Sequence, residues 1–456
     1  MLEKLFKLSE RKTSVKTELL AGITTFMTMA YILFLNPNIL SATGMDKNAT
    51  FFATAVASGL ITIAMGLIAN VPVALAPGMG LNALFATVAA AGTGMPWQTA
   101  LGAVFISGII FIILTVTNIR QLLVKAVPEC IKTGITVGIG LFIAVIGIKL
   151  SEIMVVSVHP MPSTAAGISD AHAATLKFFE WDISMGSFSN RSMVLCLIGL
   201  AISALLMANK VKGALLLSIV VTTIIGIPMG VTVIPSGFQP FHIPSFSNLA
   251  VGAMDIKAAF SMGIWTVVFT FTFIELFDTF GTLVGTIKKA GLADKPESST
   301  IFGRAMMVDA FGVLFGAFVG TSTVTSYVES AAGINEGGRT GLTSLSTGLL
   351  FLLALFIAPL TQLVPDAATA PVLIIVGLLM VSSIKEIDFN DFTEAFPAFI
   401  TFIIMPLTYG IANGISAGII FYTIIKLLSG RAKDIHWLMY ILSVLVICRY
   451  IFMNKG

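Results

Sequence analysis

The chain has 456 residues, of which 56% are hydrophobic and only 11% are charged, and its mean hydropathy is +0.98. These values exclude an ordinary soluble globular protein and favour a protein that crosses a membrane many times. The formal net charge of +3 arises from basic residues spread over short segments, so we expect no nucleic-acid partner. The three cysteines, Cys130, Cys196 and Cys448, lie far apart, which favours neither a metal site nor a disulfide framework.

Apolar runs of about 20 residues follow one another along the chain, and each is long enough for a helix across a hydrocarbon core of ~30 Å. The pattern predicts an all-α polytopic membrane protein of about 14 spans. A last apolar run, 435–453, either crosses the lipid bilayer or lies at its surface. The spans are expected near residues 18–40, 50–70, 73–91, 97–117, 131–150, 191–208, 211–231, 260–287, 302–319, 322–336, 341–363, 368–384, 392–409 and 412–429.

Basic residues predict the orientation of these spans. They concentrate in the N-terminal segment 1–17 and in every second connecting segment, which the positive-inside rule places in the cytoplasm. The longest connection, 151–190, carries one lysine, Lys177, against four acidic residues and is expected outside. The N-terminal segment shows no small-residue cleavage site, so we expect no signal peptide and insertion directed by the first span itself. The expected location is the plasma (inner) membrane.

Two segments, 70–85 and 320–339, are too broken or too polar for ordinary membrane helices. The first contains two prolines and two glycines, and the second is rich in Ser, Thr and Gly. They fall in the third and the tenth span, seven spans apart, which predicts a 7+7 inverted repeat with its binding site between the broken segments. Irregular backbone at this depth must be buried in protein or line a cavity. The alternative is that the prolines only kink a helix in the first segment and that the second segment is a cytoplasmic loop.

Two carboxylates interrupt the apolar eighth span, three residues apart, so that Glu275 and Asp278 share one helix face. Each costs at least ~2.5 kcal/mol in a membrane helix, which favours a pathway for an ion, a proton or a polar solute over an internal salt bridge. Glu329 on the tenth span and Asn82 on the third are expected to face the same cavity. Acceptor oxygens with one amide suit a flat heterocycle that presents N–H and C=O groups.

Burial favours the neutral form of a carboxyl group, so at least one of these three acids is expected to exchange protons near neutral pH and to couple transport to a proton gradient. Aromatic residues close to the acids in sequence are candidates for stacking on a ring, namely Phe85, Phe273, Phe277, Phe280 and Tyr327. No motif of an enzyme and no metal-ligand spacing occurs, and we expect no cofactor. A channel is disfavoured because broken helices at mid-membrane fit alternating access.

Other polar positions have plainer interpretations. Thr28 in the first span either hydrogen-bonds within its own helix or lines the cavity. Asp309 follows Arg304 by five residues, which favours a structural ion pair. Glu336 and Arg339 flank a Gly-Gly turn and are expected to form a solvated charge pair.

Three motifs resemble the nucleobase/cation symporter family, in its AzgA-like branch of hypoxanthine, guanine and adenine permeases. The motifs are Phe-Ile-Glu275-Leu-Phe-Asp278-Thr-Phe-Gly281-Thr-Leu, Ala-Pro77-Gly78-Met-Gly80-Leu-Asn82-Ala and Thr325-Ser326-Tyr327-Val-Glu329-Ser-Ala-Ala-Gly333. The resemblance implies purine import by proton symport, through an elevator-like motion of a core domain against a gate domain. It also implies a homodimer formed through the gate domain.

The resemblance also implies domain boundaries. Residues 18–117 and 260–363 would form the core domain after the N-terminus 1–17, and residues 131–231 and 368–453 would form the gate domain. Short extended pieces of spans three and ten would meet at mid-membrane. Alternatives are a uracil or xanthine transporter or, from the same structural superfamily, an anion transporter.

Glu329 matches the family's base-binding acid on span ten, and the span-eight acids Glu275 and Asp278 divide base contact and proton handling in an order that stays open. The uracil branch has glycine directly before the span-ten acid, where this chain has Val328. The expected proton-coupling residues are Asp278, Glu275 and Glu329. The expected substrate-binding residues are Glu275, Asp278, Glu329, Asn82, Thr28, Phe277, Tyr327 and Ser326.

Overall fold

The structure is a computed structural model that is mostly helical. It describes residues 2–89, 95–117, 126–160, 179–235, 238–239, 249–261, 265–293, 297–408 and 410–452. In the first half, the elements are α1 (Leu2–Phe6), α2 (Val15–Met29), α3 (Ile32–Ser41), α4 (Lys47–Ala64), β1 (Leu75–Pro77), α5 (Met79–Val88), α6 (Trp97–Val116), α7 (Glu129–Leu150), β2 (Met154–Pro160), β3 (Phe179–Met185), α8 (Arg191–Ala208) and α9 (Ala214–Gly226).

The second half of the chain is also a succession of helices, interrupted by one short strand. Its elements are α10 (Ile256–Ser261), α11 (Trp265–Lys289), α12 (Ser298–Val319), β4 (Val324–Ser326), α13 (Ser330–Asn335), α14 (Gly341–Leu353), α15 (Asp366–Val381), α16 (Phe392–Leu407), α17 (Ile411–Leu428) and α18 (Trp437–Phe452). A π-helical turn, Met65–Ala69, extends α4, and 3-10 turns at Ala354–Leu363 and Ser382–Glu386 extend α14 and α15.

Ten helices of the described chain are long and apolar enough to cross a membrane, and four shorter apolar helices accompany them. The predicted all-α polytopic fold with two interrupted spans is confirmed. The third and tenth spans are not continuous over 73–91 and 322–336, because each begins as an extended strand and continues as a short helix, α5 or α13. The terminal run forms α18, which packs on α17.

The two strands β1 and β4 pair with each other and are antiparallel. Ala76 lies opposite Thr325, and the backbone N–H groups of Gly78 and Tyr327 extend the ladder by donating to the carbonyl oxygens of Thr323 and Ala74, at 3.0 Å each. Every residue of both strands is buried. Peptide groups that lack partners in hydrocarbon cost several kcal/mol, so each broken segment supplies the hydrogen-bond partners of the other.

The helices contact one another in two groups. The core group comprises α2 to α6 with β1, and α10 to α14 with β4; in it α14 packs on α2 and α4, and α12 packs on α6. The gate group comprises α7 to α9 and α15 to α18; in it α15 packs along α7 and α8, and α16 contacts α7 and α17. Small residues permit this packing, since a Cβ at Gly140 would lie 2.8 Å from the carbonyl oxygen of Gly377.

The long connection after α7 contains an antiparallel hairpin of β2 and β3, in which Met154 lies opposite Met185. From the sequence, this region is expected only to be an external loop. The side chains of the hairpin mostly lie outside the described part of the chain. The hairpin belongs to the gate group by sequence position, and β2 contacts α7.

Candidate functional site

The predicted acids of span eight lie on α11, which runs past β4 and contacts it. Glu275 is fully buried, and one of its carboxylate oxygens accepts a hydrogen bond from the Thr279 hydroxyl at 3.2 Å. Asp278, one turn further on, is half-buried. Glu275 therefore belongs to a protein-internal hydrogen-bond network, whereas Asp278 retains access to the space beside the helix.

Asp309 on α12 is a third acid of this region and is fully buried, like Glu275, and it links α11 to β4. It accepts hydrogen bonds from the Thr279 hydroxyl at 2.7 Å and from both the backbone N–H and the hydroxyl of Ser326, at 2.9 and 2.8 Å. Gly312 permits the helix to approach the strand closely, since a Cβ at this position would lie only 2.7 Å from the carbonyl oxygen of Val324.

The interpretation of Asp309 as the ion-pair partner of Arg304 is therefore wrong. Arg304 is exposed. Five residues of α-helix correspond to about 500° of rotation, which places the two side chains on faces about 140° apart. The charge pair expected between Glu336 and Arg339 is also wrong, since Glu336 pairs with Lys212 at 2.7 Å and Arg339 donates to the carbonyl oxygens of Ile334 and Gly338.

Glu329 directly precedes α13 and is half-buried. Its carboxylate accepts a hydrogen bond of 2.7 Å from the phenol of Tyr31, which is fully buried. Tyr31 lies between α2 and α3, where the first span is interrupted. Tyr31 has no signal in the sequence, because its partner stands 298 positions away and no motif joins the two residues.

Electrostatic interactions join the acids into one region. The charges of Asp309 and Glu329 both act on Asp278, and the charge of Glu329 acts on Tyr31 and Tyr327. Glu275 joins the group through Thr279, which also contacts the Thr325 hydroxyl at 2.9 Å. The structure thus brings the three predicted acids to one place beside the strand pair.

The other predicted residues on the broken segments take part in holding the strands. The amide oxygen of Asn82 accepts a hydrogen bond from the Ser322 hydroxyl, and its nitrogen donates to the carbonyl oxygen of Pro77 at 3.5 Å. The Tyr327 phenol donates to the same Pro77 oxygen at 2.5 Å. Ser326 donates to Asp309, as described above. The polar groups of Asn82, Tyr327 and Ser326 therefore hydrogen-bond to other protein groups and hold the strands in place beside the acids.

Thr28 and the aromatic residues are the remaining predicted positions. The Thr28 hydroxyl donates to the carbonyl oxygens of Thr24 and Thr25, within its own helix. Phe85 is fully buried, Phe273 stacks on Phe269 with ring centres 5.5 Å apart, and Phe280 meets Phe302 edge-on at 5.4 Å. The side chain of Phe277 lies outside the described part of the structure.

Comparison with known proteins identifies the family. Residues 16–417 match the family model Xan_ur_permease, described as a permease family. The chain belongs to this permease family. As expected from the sequence, it belongs with transporters and not with enzymes, and it is a multi-pass membrane protein. The motifs that predicted a nucleobase permease are thus consistent with the family match.

Two relatives match the permease over nearly its whole length. Adenine permease AdeP of Escherichia coli is 41% identical over 454 residues, which cover 100% of this chain and 97% of the relative. Guanine/hypoxanthine permease PbuG of Bacillus subtilis is 40% identical over 461 residues, which cover 98% of this chain and 99% of the relative. Both relatives fall in the purine branch that the three motifs resemble.

A solved structure supports the fold. The transmembrane domain of a cyanobacterial bicarbonate transporter, BicA, superposes with a TM-score of 0.61, at 14% identity, covering 88% of the permease and 97% of that chain. At this identity, the similarity shows the fold alone. In the described part of the chain, the fold comprises ten long and four shorter apolar helices, with short extended segments in spans three and ten.

Proposed function

We propose that this permease imports purine nucleobases, namely adenine, guanine or hypoxanthine, together with protons across the plasma membrane. The observation that carries the proposal is the convergence of Glu275, Asp278 and Glu329 beside the strand pair β1–β4. The names of the two relatives, an adenine permease and a guanine/hypoxanthine permease, support the purine class.

The chemistry of the site suits a purine. An ionised carboxylate accepts hydrogen bonds only, and purines present N–H groups at their edges. Glu329, which is half-buried, is the proposed base-binding acid, and Asp278 or Glu275 provides the second contact. The remaining residues of the proposed site are Asn82, Thr28, Phe277, Tyr327 and Ser326.

The crowding of acids supports proton coupling. Asp278 and Glu329 interact electrostatically with each other, and Asp309 adds a further carboxyl group. Carboxyl groups this close in a low-dielectric site can share a proton, and this shared proton is the proposed coupling ion. We propose that this proton enters with the base, carried by Asp278, Glu275 or Glu329.

The proposed movement is a displacement of the core domain, residues 18–117 and 260–363, against the gate domain, residues 131–231 and 368–453. The N-terminus, 1–17, lies in the cytoplasm, and two copies associate through their gate domains. In such a movement the strand pair and its acids travel together, because β1 and β4 both belong to the core group.

Two other substrate classes remain as alternatives. A uracil or xanthine transporter would use the same acids with a different arrangement of donors. The fold is shared with a bicarbonate transporter, which raises an anion as a candidate. The acids disfavour an anion, because several carboxyl groups in one low-dielectric region repel a negative charge.

Uptake measurements test the proposal. Labelled adenine, guanine, hypoxanthine and uracil are supplied to proteoliposomes with and without an inward proton gradient, and to cells that lack their own purine permeases. We expect saturable purine uptake that a protonophore abolishes. Uracil uptake without purine competition would overturn the substrate class, and uptake indifferent to the protonophore would overturn the coupling.

A further inference from the structure

The hydrogen bond from Tyr31 to Glu329 joins the interruption of the first span to the start of α13. The phenol is fully buried, while Glu329 is half-buried and is followed by α13 and preceded by Val328, which is 63% exposed. One end of this hydrogen bond is thus fixed inside the protein, and the other end lies where the buried region opens.

Packing and backbone contacts fix the tyrosine. Its carbonyl oxygen accepts hydrogen bonds from the N–H groups of Phe34 and Leu35, so that Tyr31 begins α3. Its ring lies in the main hydrophobic core together with Tyr327. A ring held in this way has few alternative rotamers, and its hydroxyl therefore points in a defined direction.

The hydrogen bond also fixes the direction in which Glu329 can act. A phenol that donates to a carboxylate forms a charge-assisted hydrogen bond, and the 2.7 Å distance is in the usual range for one. A carboxylate that accepts from the phenol stays an acceptor for any further partner. In its ionised form, Glu329 therefore binds an N–H group of a ligand and not a carbonyl oxygen.

We propose that Tyr31 is a positioning residue for the substrate: it holds the Glu329 carboxylate as an oriented acceptor and so selects bases that present an N–H at this edge. The inference rests on the proposed function and deepens it. Tyr31 does not itself touch the base. A purely structural alternative is that Tyr31 only fills space between the first span and α13.

The test removes the hydroxyl and keeps the ring. In Tyr31→Phe, we expect the dissociation constant for the preferred purine to rise at least about tenfold, because a hydrogen bond to a charged group is lost. Dissociation constants are measured on purified full-length protein by ligand-induced thermal stabilisation. Tyr422→Phe is the matched control: Tyr422 is also buried but lies on α17 in the gate group, and we expect a change below about twofold.

Methylated purines separate positioning from a structural role. Each of the N-methyl purines lacks one N–H group. The analogue whose binding is least affected by Glu329→Gln lacks the N–H group that donates to the Glu329 carboxylate. We expect the effect of Tyr31→Phe to vanish for that analogue and to persist for the others. A structural defect would weaken all analogues by the same factor, which would overturn the inference.

A second comparison uses Glu329→Asp, which withdraws the carboxylate by one methylene group. If Tyr31 acts through Glu329, the double variant binds no more weakly than Glu329→Asp alone. The inference would be overturned if the two substitutions multiplied each other's effect on the dissociation constant. It would also be overturned if the dissociation constant of Tyr31→Phe lay within twofold of that of the natural protein. If the natural protein binds none of the purines, the proposed function itself fails, and that result is distinct from a failure of Tyr31.

Discussion

The Asp309 carboxylate on α12 accepts two hydrogen bonds from Ser326 at the end of β4, one from its backbone N–H at 2.9 Å and one from its hydroxyl at 2.8 Å. A third comes from Thr279 on α11 at 2.7 Å. One carboxylate thereby joins the helix of the span-eight acids to the strand that leads to Glu329. The geometry of the proposed site depends on this acid even where it does not touch a base.

We expect Asp309→Ala to lower the free energy of unfolding by at least about 2 kcal/mol, since buried donors on Ser326 and Thr279 lose their acceptor. The apparent melting temperature in detergent measures the change. The matched control is Asp434→Ala, because Asp434 is 53% exposed by its side chain and a surface substitution costs within about 0.5 kcal/mol. Equal melting temperatures for the two variants would show that the Asp309 network does not stabilise the fold.

Glu329→Gln should abolish high-affinity purine binding while the protein still inserts and folds. The amide keeps the size of the side chain but replaces an acceptor oxygen with a donor, which opposes both the Tyr31 phenol and an N–H of the base. Binding of labelled purine to purified protein is the measurement. Glu386→Gln, at an exposed position, is the control, and unchanged binding in Glu329→Gln would place the site elsewhere.

Glu18 on α2 forms a second buried network, at the cytoplasmic end of the core group according to the proposed orientation. Its carboxylate accepts from the N–H groups of Arg339, Thr340 and Thr343, at 2.8, 3.2 and 3.2 Å, and from the Thr343 hydroxyl at 2.6 Å. These donors surround the first turn of α14, whose partial positive charge favours a carboxylate. The acid therefore ties α2 to the start of α14.

We expect Glu18→Gln to destabilise the protein by about 1–3 kcal/mol, because the amide nitrogen would face donors that need an acceptor. Thermal unfolding in detergent measures the effect. The control is Glu129→Gln, since the Glu129 side chain is 84% exposed. A melting temperature for Glu18→Gln equal to that of the control would mean that the α14 terminus finds other acceptors.

The ion pair between Lys212 and Glu336, 2.7 Å long, joins the two helix groups. Lys212 lies between α8 and α9 in the gate group, and Glu336 directly follows α13 in the core group. Movement of one group against the other would separate the two side chains. An exposed pair of this kind contributes only ~0.2–1 kcal/mol, so its presence favours one arrangement without locking the protein.

Cross-linking tests whether this contact opens during transport. We expect Lys212→Cys combined with Glu336→Cys, in a Cys448→Ser background that removes the exposed cysteine, to lose uptake on oxidation and to regain it on reduction. Each single cysteine variant is the control and should be insensitive to oxidant. Full uptake by the cross-linked protein would contradict movement of the core group against the gate group at this place.

The broken spans could be predicted because their signals are local. Prolines and glycines between 70 and 85, and hydroxyl residues between 320 and 339, exclude a lipid-facing helix whatever the rest of the chain does. The pairing of Ala76 with Thr325 is a further consequence, since two buried extended segments must find partners for their peptide groups.

Long-range partners could not be predicted in this way. Tyr31 stands in an apolar run like any packing residue, and only the fold brings its phenol to Glu329. The sequence favours Arg304, five residues away, as the partner of Asp309, whereas the actual donors to Asp309 stand on β4 and α11. Sequence distance is a poor guide in this protein because residues from both halves of the chain meet at the site, as Tyr31 and Glu329 do.

The pairing of β1 with β4 has a consequence for biosynthesis. When β1 enters the membrane, its partner strand is still about 250 residues from being made, since Pro77 pairs with Val324. The peptide groups of residues 75–77 therefore lack their final hydrogen-bond partners until β4 is made. Each such group exposed to lipid costs several kcal/mol of free energy. The first half of the chain is accordingly a transient species that needs water, the insertion machinery or a chaperone around β1. The nascent protein becomes stable in the bilayer only when its second half arrives.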